Sequence, residues 1–103
     1  MNKKIKDGMV AVLYSPGFGA GWYSWHNVEE LLYDPKLVDM VLEKTSAETI
    51  DLYCNEVYGN KLYYGGADDL EVMWLPVGTH FRIHEYDGAE SIEVREKINW
   101  SIA

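Results

Sequence analysis

The sequence has little cysteine and little positive charge, and it lacks long hydrophobic runs. Its single cysteine, Cys54, excludes an intrachain disulfide. No run approaches the length of a membrane-spanning helix, and the apolar run at residues 9–14 is too short for the core of a signal peptide. We therefore expect no membrane segment, no signal peptide and a cytoplasmic location.

The scarcity of basic residues limits the possible partners. Nine Lys and Arg residues stand against 17 Asp and Glu residues, so the formal net charge is −8. The imbalance is strongest between Asn27 and Glu90, where 14 acidic residues accompany four basic ones. Such a surface repels a phosphate backbone, so we expect no direct nucleic-acid binding. The acidic surface either keeps the protein solvated or faces a basic partner protein.

Tyrosine and tryptophan, by contrast, are abundant. The 103 residues fit a single domain, residues 1–103, and a hydrophobic content of 48% argues against disorder. Aromatic residues make up 14% of the chain, with eight Tyr and four Trp against two Phe. Because Tyr and Trp carry a polar group on a large ring, they favour half-buried positions, interfaces and ligand walls. The alternative is that these rings fill a small core.

The first half of the chain predicts one strand followed by helices. Residues 9–14 form a continuous apolar run with β-branched members, which indicates a buried strand, and residues 15–17 are a strong turn signal. A short helix is expected through residue 32 with Asn27 as its cap. A second helix is expected after Asp34, with Pro35 at its first position and an apolar stripe behind it.

A third helix is predicted between a capping box and a glycine. The box consists of Thr45 and Glu48, and Gly59 is the expected C-terminal stop. The buried stripe of this helix would comprise Ile50, Tyr53, Cys54 and Val57.

After Gly59 the apolar period changes to two, which is typical of strands. Strands are predicted at residues 62–64, 70–75, 81–86, 91–95 and 98–102, as a run of antiparallel hairpins with an Asp87-Gly88 turn. Because helices and strands are segregated along the chain, the predicted fold class is α+β. We expect an antiparallel sheet of four to six strands that includes the first strand, with two or three short helices packed on one face.

The most unusual feature is the glycine-aromatic loop at residues 15–25. A strand followed by Gly-x-Gly-x-Gly resembles loops that wrap phosphates with backbone amides, but the P-loop lysine is missing, and Glu29 and Glu30 oppose an anion at the following helix. Rings and glycines together could instead stack on a flat ligand at close range. The candidate ligand-binding residues of this loop are Phe18, Gly19, Gly21, Trp22, Tyr23 and Trp25. The alternative is a structural loop whose rings turn into the core.

A second candidate is the strand face that carries His80, Arg82 and His84, which lie two residues apart. Arg82 is one of few cations in an acidic chain, so we expect Arg82 and His84 to contact a negatively charged ligand. The alternative is the solvent-facing side of an amphipathic strand. Two His at this spacing could also chelate a metal.

Catalytic and metal patterns are weaker. The acidic segment Asp68-Asp69 with Glu71 could hold a hard cation, although a solvated turn is the alternative and no EF-hand spacing is present. Ser15 and Ser24 lack a recognisable triad context. We therefore predict no catalytic residue, no metal and no cofactor.

Three segments carry a resemblance to known sequences. The loop Ser15–Trp22 (SPGFGAGW), the segment Leu32–Leu37 (LYDPKL) and the segment Glu85–Ile92 (EYDGAESI) are similar to a set of small uncharacterised proteins encoded by phages and prophages. The resemblance implies a phage setting and the host cytoplasm. Small phage proteins of this size often bind a host protein or sequester a nucleotide signal used in host defence.

These observations lead to one main hypothesis and two alternatives. The main hypothesis is a non-enzymatic, homo-oligomeric binding module that holds a small planar or nucleotide-like ligand between the loop at residues 15–25 and the face bearing Arg82. The first alternative is an inhibitor of a host protein that acts through its acidic surface. The second is a small metal-dependent enzyme.

Overall fold

A computed structural model describes residues 2–17, 21–25, 27–59 and 65–95. The fold class is α+β, as predicted, and the described chain contains three α-helices and two antiparallel sheets. The predicted single sheet of four to six strands is not seen among these residues, where the strands divide into a sheet of three and a sheet of two. The strands predicted at residues 62–64 and 98–102 lie outside the described residues.

The strands are β1 (Ile5–Lys6), β2 (Met9–Tyr14), β3 (Glu71–Pro76), β4 (Phe81–Tyr86) and β5 (Ala89–Val94). The helices are α1 (Glu30–Tyr33), α2 (Pro35–Leu42) and α3 (Ala47–Tyr58), and 3-10 turns occupy Tyr23–Trp25 and Gly65–Asp69. Within the described residues, no helix has the length and apolar character needed to cross a membrane.

Sheet pairing differs from the predicted run of hairpins. In the first sheet β2 lies between β1 and β3, with Met9 opposite Pro76 and Tyr14 opposite Glu71. The expected β3–β4 hairpin was wrong, since β3 pairs with β2 and β4 pairs with β5. The segment between β3 and β4 is instead held to the β1–β2 turn, where the Val77 amide donates to the Gly8 carbonyl at 2.9 Å.

Two Asp-Gly turns close the two hairpins. Asp87 and Gly88 join β4 to β5 with φ angles of 52° and 87°, as the sequence predicted for a two-residue connection. Asp7 and Gly8 join β1 to β2 in the same way, with φ angles of 52° and 75°. The β1–β2 hairpin was missed in the sequence, although its turn carries the same signal.

Strand β2 is buried on both faces, which explains its continuous apolar run. Ala11 and Leu13 belong to a core cluster formed with the helices, whereas Val12 belongs to a second cluster against which β4 and β5 pack. Side chains of all three helices pack with Ala11 and Leu13, whereas the cluster around Val12 contains Leu32 and Tyr33 of α1 together with side chains of the second sheet. The expectation that the helices pack on one face therefore does not hold for α1. A single sheet would have left the second face of β2 open to water.

The helix ends follow local chemistry with two corrections. Asp34 caps α2 and Gly59 ends α3 with a φ of 93°, as predicted. The predicted Asn27 cap was wrong, because Asn27 has a left-handed φ of 56° and α1 begins at Glu30. The cap of α3 is Ser46, whose hydroxyl accepts from the Thr49 amide at 3.3 Å, so the predicted box was displaced by one residue.

The buried stripe of α3 is narrower than predicted. Ile50 and Cys54 are buried and Tyr53 packs against the core, in agreement with the predicted stripe. Val57 is 53% exposed, so its assignment to the core was wrong. It lies in the last turn of α3 and faces solvent, whereas the next residue, Tyr58, packs against the core.

Candidate functional site

Trp22 lies inside the core rather than on a ligand wall. Its side chain is fully buried in the same cluster as Leu13 and Leu37. The indole Nε1 donates a hydrogen bond to the Leu31 carbonyl at 2.8 Å, which satisfies the polar end of the ring. Trp22 therefore presents no ring face to an external ligand, and it anchors the loop to α1.

The backbone of the same loop is organised around one buried carboxylate, that of Glu90 on β5. Glu90 Oε1 accepts from the Ser15 amide at 3.0 Å. Glu90 Oε2 accepts from the amides of Trp22 at 3.0 Å and Ser24 at 2.8 Å, and from the Ser24 hydroxyl at 2.6 Å. The Glu90 amide in turn donates to the Ser15 carbonyl at 2.8 Å.

This arrangement is an anion site that the protein fills with its own side chain. Converging backbone amides bind an anion in the same manner as the phosphate loops that the glycine spacing resembles. Here the anion is the Glu90 carboxylate, which four donors of the loop satisfy. Such charge-assisted hydrogen bonds are stronger than neutral ones, and they compensate for the cost of burying the carboxylate.

Glu90 was missed in the sequence, although a signal for it exists. Ile92 points toward the core from β5, and a period of two places residue 90 on the same face. An acidic residue at a core-facing position of a strand must find donors, because an unpaired buried charge is too costly. The glycine-aromatic loop was the richest source of backbone donors.

The 3-10 turn Gly65–Asp69 closes the loop from another side. A side chain at Gly66 would collide with the Gly21 carbonyl, and its Cβ would come within 2.9 Å of the Ser15 hydroxyl. A side chain at Gly17 would collide with the Asp69 carboxylate. Ser15 Oγ is itself buried and makes no hydrogen bond within the described part of the chain. The glycines thus serve close packing between two segments of the backbone.

The remaining loop candidates occupy different environments. Gly21 is buried beneath the 3-10 turn, and Tyr23 is half-buried and packs against both core clusters. Phe18, Gly19 and the Trp25 side chain lie outside the described residues, so the predictions made for them stay predictions.

Arg82 and His84 share the outer face of β4, as the spacing predicted, and both meet Glu93 of β5. Arg82 Nε donates to Glu93 Oε2 at 2.7 Å, and His84 Nδ1 lies 3.6 Å from Glu93 Oε1. The hydrogen bond from Arg82 holds the pKa of Glu93 below its ordinary value. The Arg82 side chain is 77% exposed, so its guanidinium remains accessible from solvent.

A groove of about 320 Å³ runs along this face at the open end of the β4–β5 hairpin. We call it the ribbon groove, and its lining comprises His80, Phe81, Arg82, Glu93, Val94 and Arg95. It gathers two arginines and a histidine in a chain whose net charge is −8. The groove therefore brings two of the chain's nine Lys and Arg residues to one surface, next to the Glu93 carboxylate.

The loop and Arg82 lie on opposite faces of the second sheet. Tyr23 and Ile83 pack against the same buried cluster, on the inner face of β4. Arg82 and His84 alternate with Ile83 and are exposed on the outer face. The described residues therefore do not bring the two predicted halves of the site together.

The predicted metal positions do not converge either. Asp69 lies against Gly17, whereas Glu71 accepts a hydrogen bond from the Tyr14 hydroxyl at 3.1 Å. No group of three or more His, Cys, Asp and Glu residues in the described ranges has the geometry to hold a metal ion.

A second carboxylate, Asp34, organises the junction of α1, α2 and α3. Its Oδ1 accepts from the backbone amides of Lys36 at 2.9 Å and Leu37 at 3.3 Å. Its Oδ2 accepts from the hydroxyls of Tyr53 at 2.8 Å and Tyr58 at 2.5 Å. Burial, reinforced by the hydrogen bond to Asp34, raises the pKa of each of these phenols above its ordinary value. The sequence predicted that Asp34 caps α2, but it did not predict the hydrogen bonds from the two tyrosines.

In comparisons with protein-family models, curated proteins and solved structures, the chain matched none.

Proposed function

We propose that the protein is a non-enzymatic binding module for a small planar, negatively charged ligand such as a nucleotide. The ligand would lie in the ribbon groove and contact Arg82, with His84 beside it. The loop at residues 15–25 would support the second sheet from its inner face through Glu90. In the phage setting that the sequence resemblance implies, the ligand would be a nucleotide signal of host defence, which the protein would sequester.

The observation that carries this proposal is the exposed guanidinium of Arg82 at the ribbon groove. Its Nε is engaged by Glu93, while neither of its Nη groups is hydrogen-bonded to any described residue. A guanidinium presents donors in a planar fork that matches phosphate and carboxylate oxygens. Phe81 also lines the groove, while its ring packs edge to face against Tyr33 in the second core cluster.

Glu93 stands where the anionic part of a ligand would bind. Its two oxygens face Arg82 and His84, which is the arrangement expected of a bound phosphate or carboxylate. A ligand anion would replace Glu93 at Arg82 or add to it at the Nη groups. Glu93 therefore competes with the ligand, and its removal should strengthen binding.

Two variants with opposite effects test the proposal. Isothermal titration would be run with nucleoside phosphates and cyclic dinucleotides, with inorganic pyrophosphate as a ligand that lacks a ring. We expect Arg82→Gln to weaken nucleotide binding by about 10- to 100-fold, since a charge-assisted contact is lost. We expect Glu93→Gln to strengthen it, and the exposed Lys6→Gln to serve as the matched charge control.

The outcomes separate the parts of the proposal. Absence of heat with every nucleotide for both the native protein and Glu93→Gln would overturn it. Equal affinity for pyrophosphate and nucleotides would show that the planar ring does not contribute to binding, and that the groove binds anions in general. An equal loss of nucleotide affinity in Arg82→Gln and Lys6→Gln would mean that overall charge, rather than the groove, determines binding.

We also propose that the module works as a homo-oligomer. Among the described residues no strand pairs with the outer edge of β4, and an unpaired edge offers backbone donors and acceptors to a second copy. Sedimentation velocity checks this, with Ile83→Pro as the variant that disrupts β4 itself and Arg82→Gln as the control. A monomer across the concentration range would contradict it.

An acidic interaction module is the second candidate function. It is favoured by the outer face of α3, where Leu52 is 69% exposed between Glu48 and Glu56, one turn away on either side. An apolar side chain flanked by carboxylates suits a partner protein whose basic surface includes a small apolar patch. A host-lysate pull-down with native protein and Leu52→Asn tests this function. A partner that is lost both in the variant and at high salt supports it, and the absence of such a partner contradicts it.

A further inference from the structure

A second cleft lies on the helical side of the molecule, away from the ribbon groove. We call it the tyrosine cleft, and its lining comprises Asn2, Glu30, Asp34, Pro35, Tyr53 and Tyr58. Its volume is about 280 Å³, which is room for a small organic group. The lining contains two carboxylates and two phenol rings, and no Lys, Arg or His of the described residues contributes to it.

The two rings are held in fixed positions by Asp34. Both hydroxyls donate to the same oxygen, Oδ2, so each ring is tied at its polar end. Asp34 is itself held by the amides at the start of α2. The aromatic walls are thus oriented before any ligand arrives, which lowers the entropic cost of binding.

The electrostatic character of the cleft is negative. The four hydrogen bonds that Asp34 accepts hold its carboxylate in place at the cleft wall. The carboxylate of Glu30 is exposed and forms no hydrogen bond or ion pair with the described residues. The raised pKa of Tyr53 and Tyr58, caused first by burial and then by Asp34, keeps both phenols neutral. Neutral phenol rings present the electron-rich face that attracts cations.

The protein itself supplies evidence that one of these rings receives an ammonium group. The Nζ of Lys36 lies over the Tyr53 ring, 5.0 Å from its centroid. This contact falls within the range of a cation–π interaction. Lys36 does not belong to the cleft lining, so the Glu30 carboxylate and the Tyr58 ring remain for a cation from outside.

We propose that the tyrosine cleft binds an alkylammonium group, held against the Tyr58 ring and paired with the Glu30 carboxylate. The group is either that of a small free amine or that of a lysine side chain on a partner protein. The net charge of −8 favours the approach of both. This site is independent of the ribbon groove, which selects the opposite charge.

Heteronuclear NMR titration of the full chain tests the site with defined probes. The probes are tetramethylammonium, butylammonium, a short peptide with one lysine, and neopentyl alcohol as a neutral near-isostere of tetramethylammonium. Ionic strength is held constant with sodium chloride, so that general screening is the same for every probe. We expect shifts at Tyr53, Tyr58 and Glu30 with the cations and none with the alcohol.

Matched variants locate the contacts. We expect Glu30→Gln to weaken cation binding by about 3- to 10-fold, since one partly exposed ion pair is lost. The neighbouring substitution Glu29→Gln removes the same charge beside the cleft. It should change the affinity for the cation by less than about 2-fold. Tyr58→Leu removes a ring and should weaken binding further. Tyr58→Phe retains the ring and should bind cations nearly as well, which separates the ring from the hydroxyl.

The outcomes are decisive in both directions. Tighter binding of the peptide than of butylammonium would assign the cleft to a partner's lysine, whereas equal binding would assign it to free amines. Shifts of equal size with neopentyl alcohol, or an equal effect of Glu29→Gln and Glu30→Gln, would overturn the proposal. No shift at the cleft with any cation would overturn it as well. Loss of nucleotide binding in the ribbon groove would leave this result unchanged.

Discussion

Ser15 and Glu90 hold each other through two hydrogen bonds in opposite directions. The Glu90 amide donates to the Ser15 carbonyl at 2.8 Å, and the Ser15 amide donates to the Glu90 carboxylate at 3.0 Å. The pair joins the end of β2 to the start of β5, and thereby joins the two sheets.

Substitution of Glu90 should destabilise the fold even when the shape of the side chain is kept. In Glu90→Gln one oxygen becomes an NH₂ group, which would face the amide of Ser15 or those of Trp22 and Ser24. We expect a loss of about 2–3 kcal/mol of unfolding free energy for Gln and about 3–5 kcal/mol for Ala. Urea unfolding followed by circular dichroism measures this. The exposed neighbour Ser91→Ala should change stability by less than about 0.5 kcal/mol, and equal midpoints for Glu90→Gln and Ser91→Ala would contradict the role of Glu90.

Trp22 should behave as a core residue rather than as a binding residue. In Trp22→Phe the Leu31 carbonyl loses its donor and part of the ring volume is left empty. We expect a loss of about 2–4 kcal/mol of unfolding free energy. Arg82→Gln, on the exposed face of β4, should change stability by less than about 0.5 kcal/mol. If Trp22→Phe unfolded at the same urea concentration as the native protein, the indole hydrogen bond to Leu31 would be refuted.

The sequence was sufficient at several places where a local signal sets the structure, although the same kind of signal at Asp7-Gly8 was missed. Asp34 before Pro35 predicted the start of α2, Gly59 predicted the end of α3, and Asp87-Gly88 predicted the β4–β5 turn. Each of these signals acts within a few residues, because capping and turn formation depend on the backbone next to the side chain.

The rest could not be predicted because it depends on residues far apart in the chain. Glu90 finds its donors 66 to 75 residues away, in a loop that looked suited to an external anion. Strand β2 is buried on both faces, and the second sheet packs against one of them. A continuous apolar run predicts such burial, but it does not predict which elements pack against each face. The two tyrosines on Asp34 likewise come from another helix.

Removal of the Asp34 charge should lower the pKa of the two phenols that it contacts. Asn caps a helix about as well as Asp, so Asp34→Asn should retain the start of α2. Burial, followed by Asp34, raises the pKa of Tyr53 and Tyr58 above the ordinary value of 10.0, and in the variant burial and the smaller charge effects of neighbours such as Cys54 would remain. Phenolate absorbance during alkaline titration measures both groups, and Tyr53→Phe identifies one of them. An unchanged titration curve in Asp34→Asn would contradict the contact.

Stability should fall at alkaline pH because of the buried thiol. Burial, followed by the charges of Asp34 and Asp51, raises the pKa of Cys54 from 9.0 to about 12. The unfolded chain therefore loses this proton first, so the contribution of Cys54 is fully present below pH 9.0 and is lost as the pH rises toward about 12. Urea unfolding at a series of pH values measures the decline, and Cys54→Ala should reduce its slope. An identical slope in the variant would contradict this assignment.

The same thiol should report on opening of the fold. Because Cys54 is fully buried, a disulfide reagent should modify it only in molecules that have opened. We expect faster modification in Glu90→Gln and an unchanged rate in Ser91→Ala, measured at a pH where both variants are folded. Equal rates in these two variants would show that opening at Cys54 is local and does not depend on the Glu90 contacts.

The pairing of Ser15 with Glu90 also sets an order of events during synthesis. The loop amides leave the ribosome early, whereas the carboxylate that satisfies them follows 75 residues later. Until β5 emerges, the nascent chain carries an open cluster of backbone donors beside an apolar strand, a state that other anions or chaperones can occupy. Because contacts of such long sequence separation slow folding, we expect this loop to close only after β5 has been made.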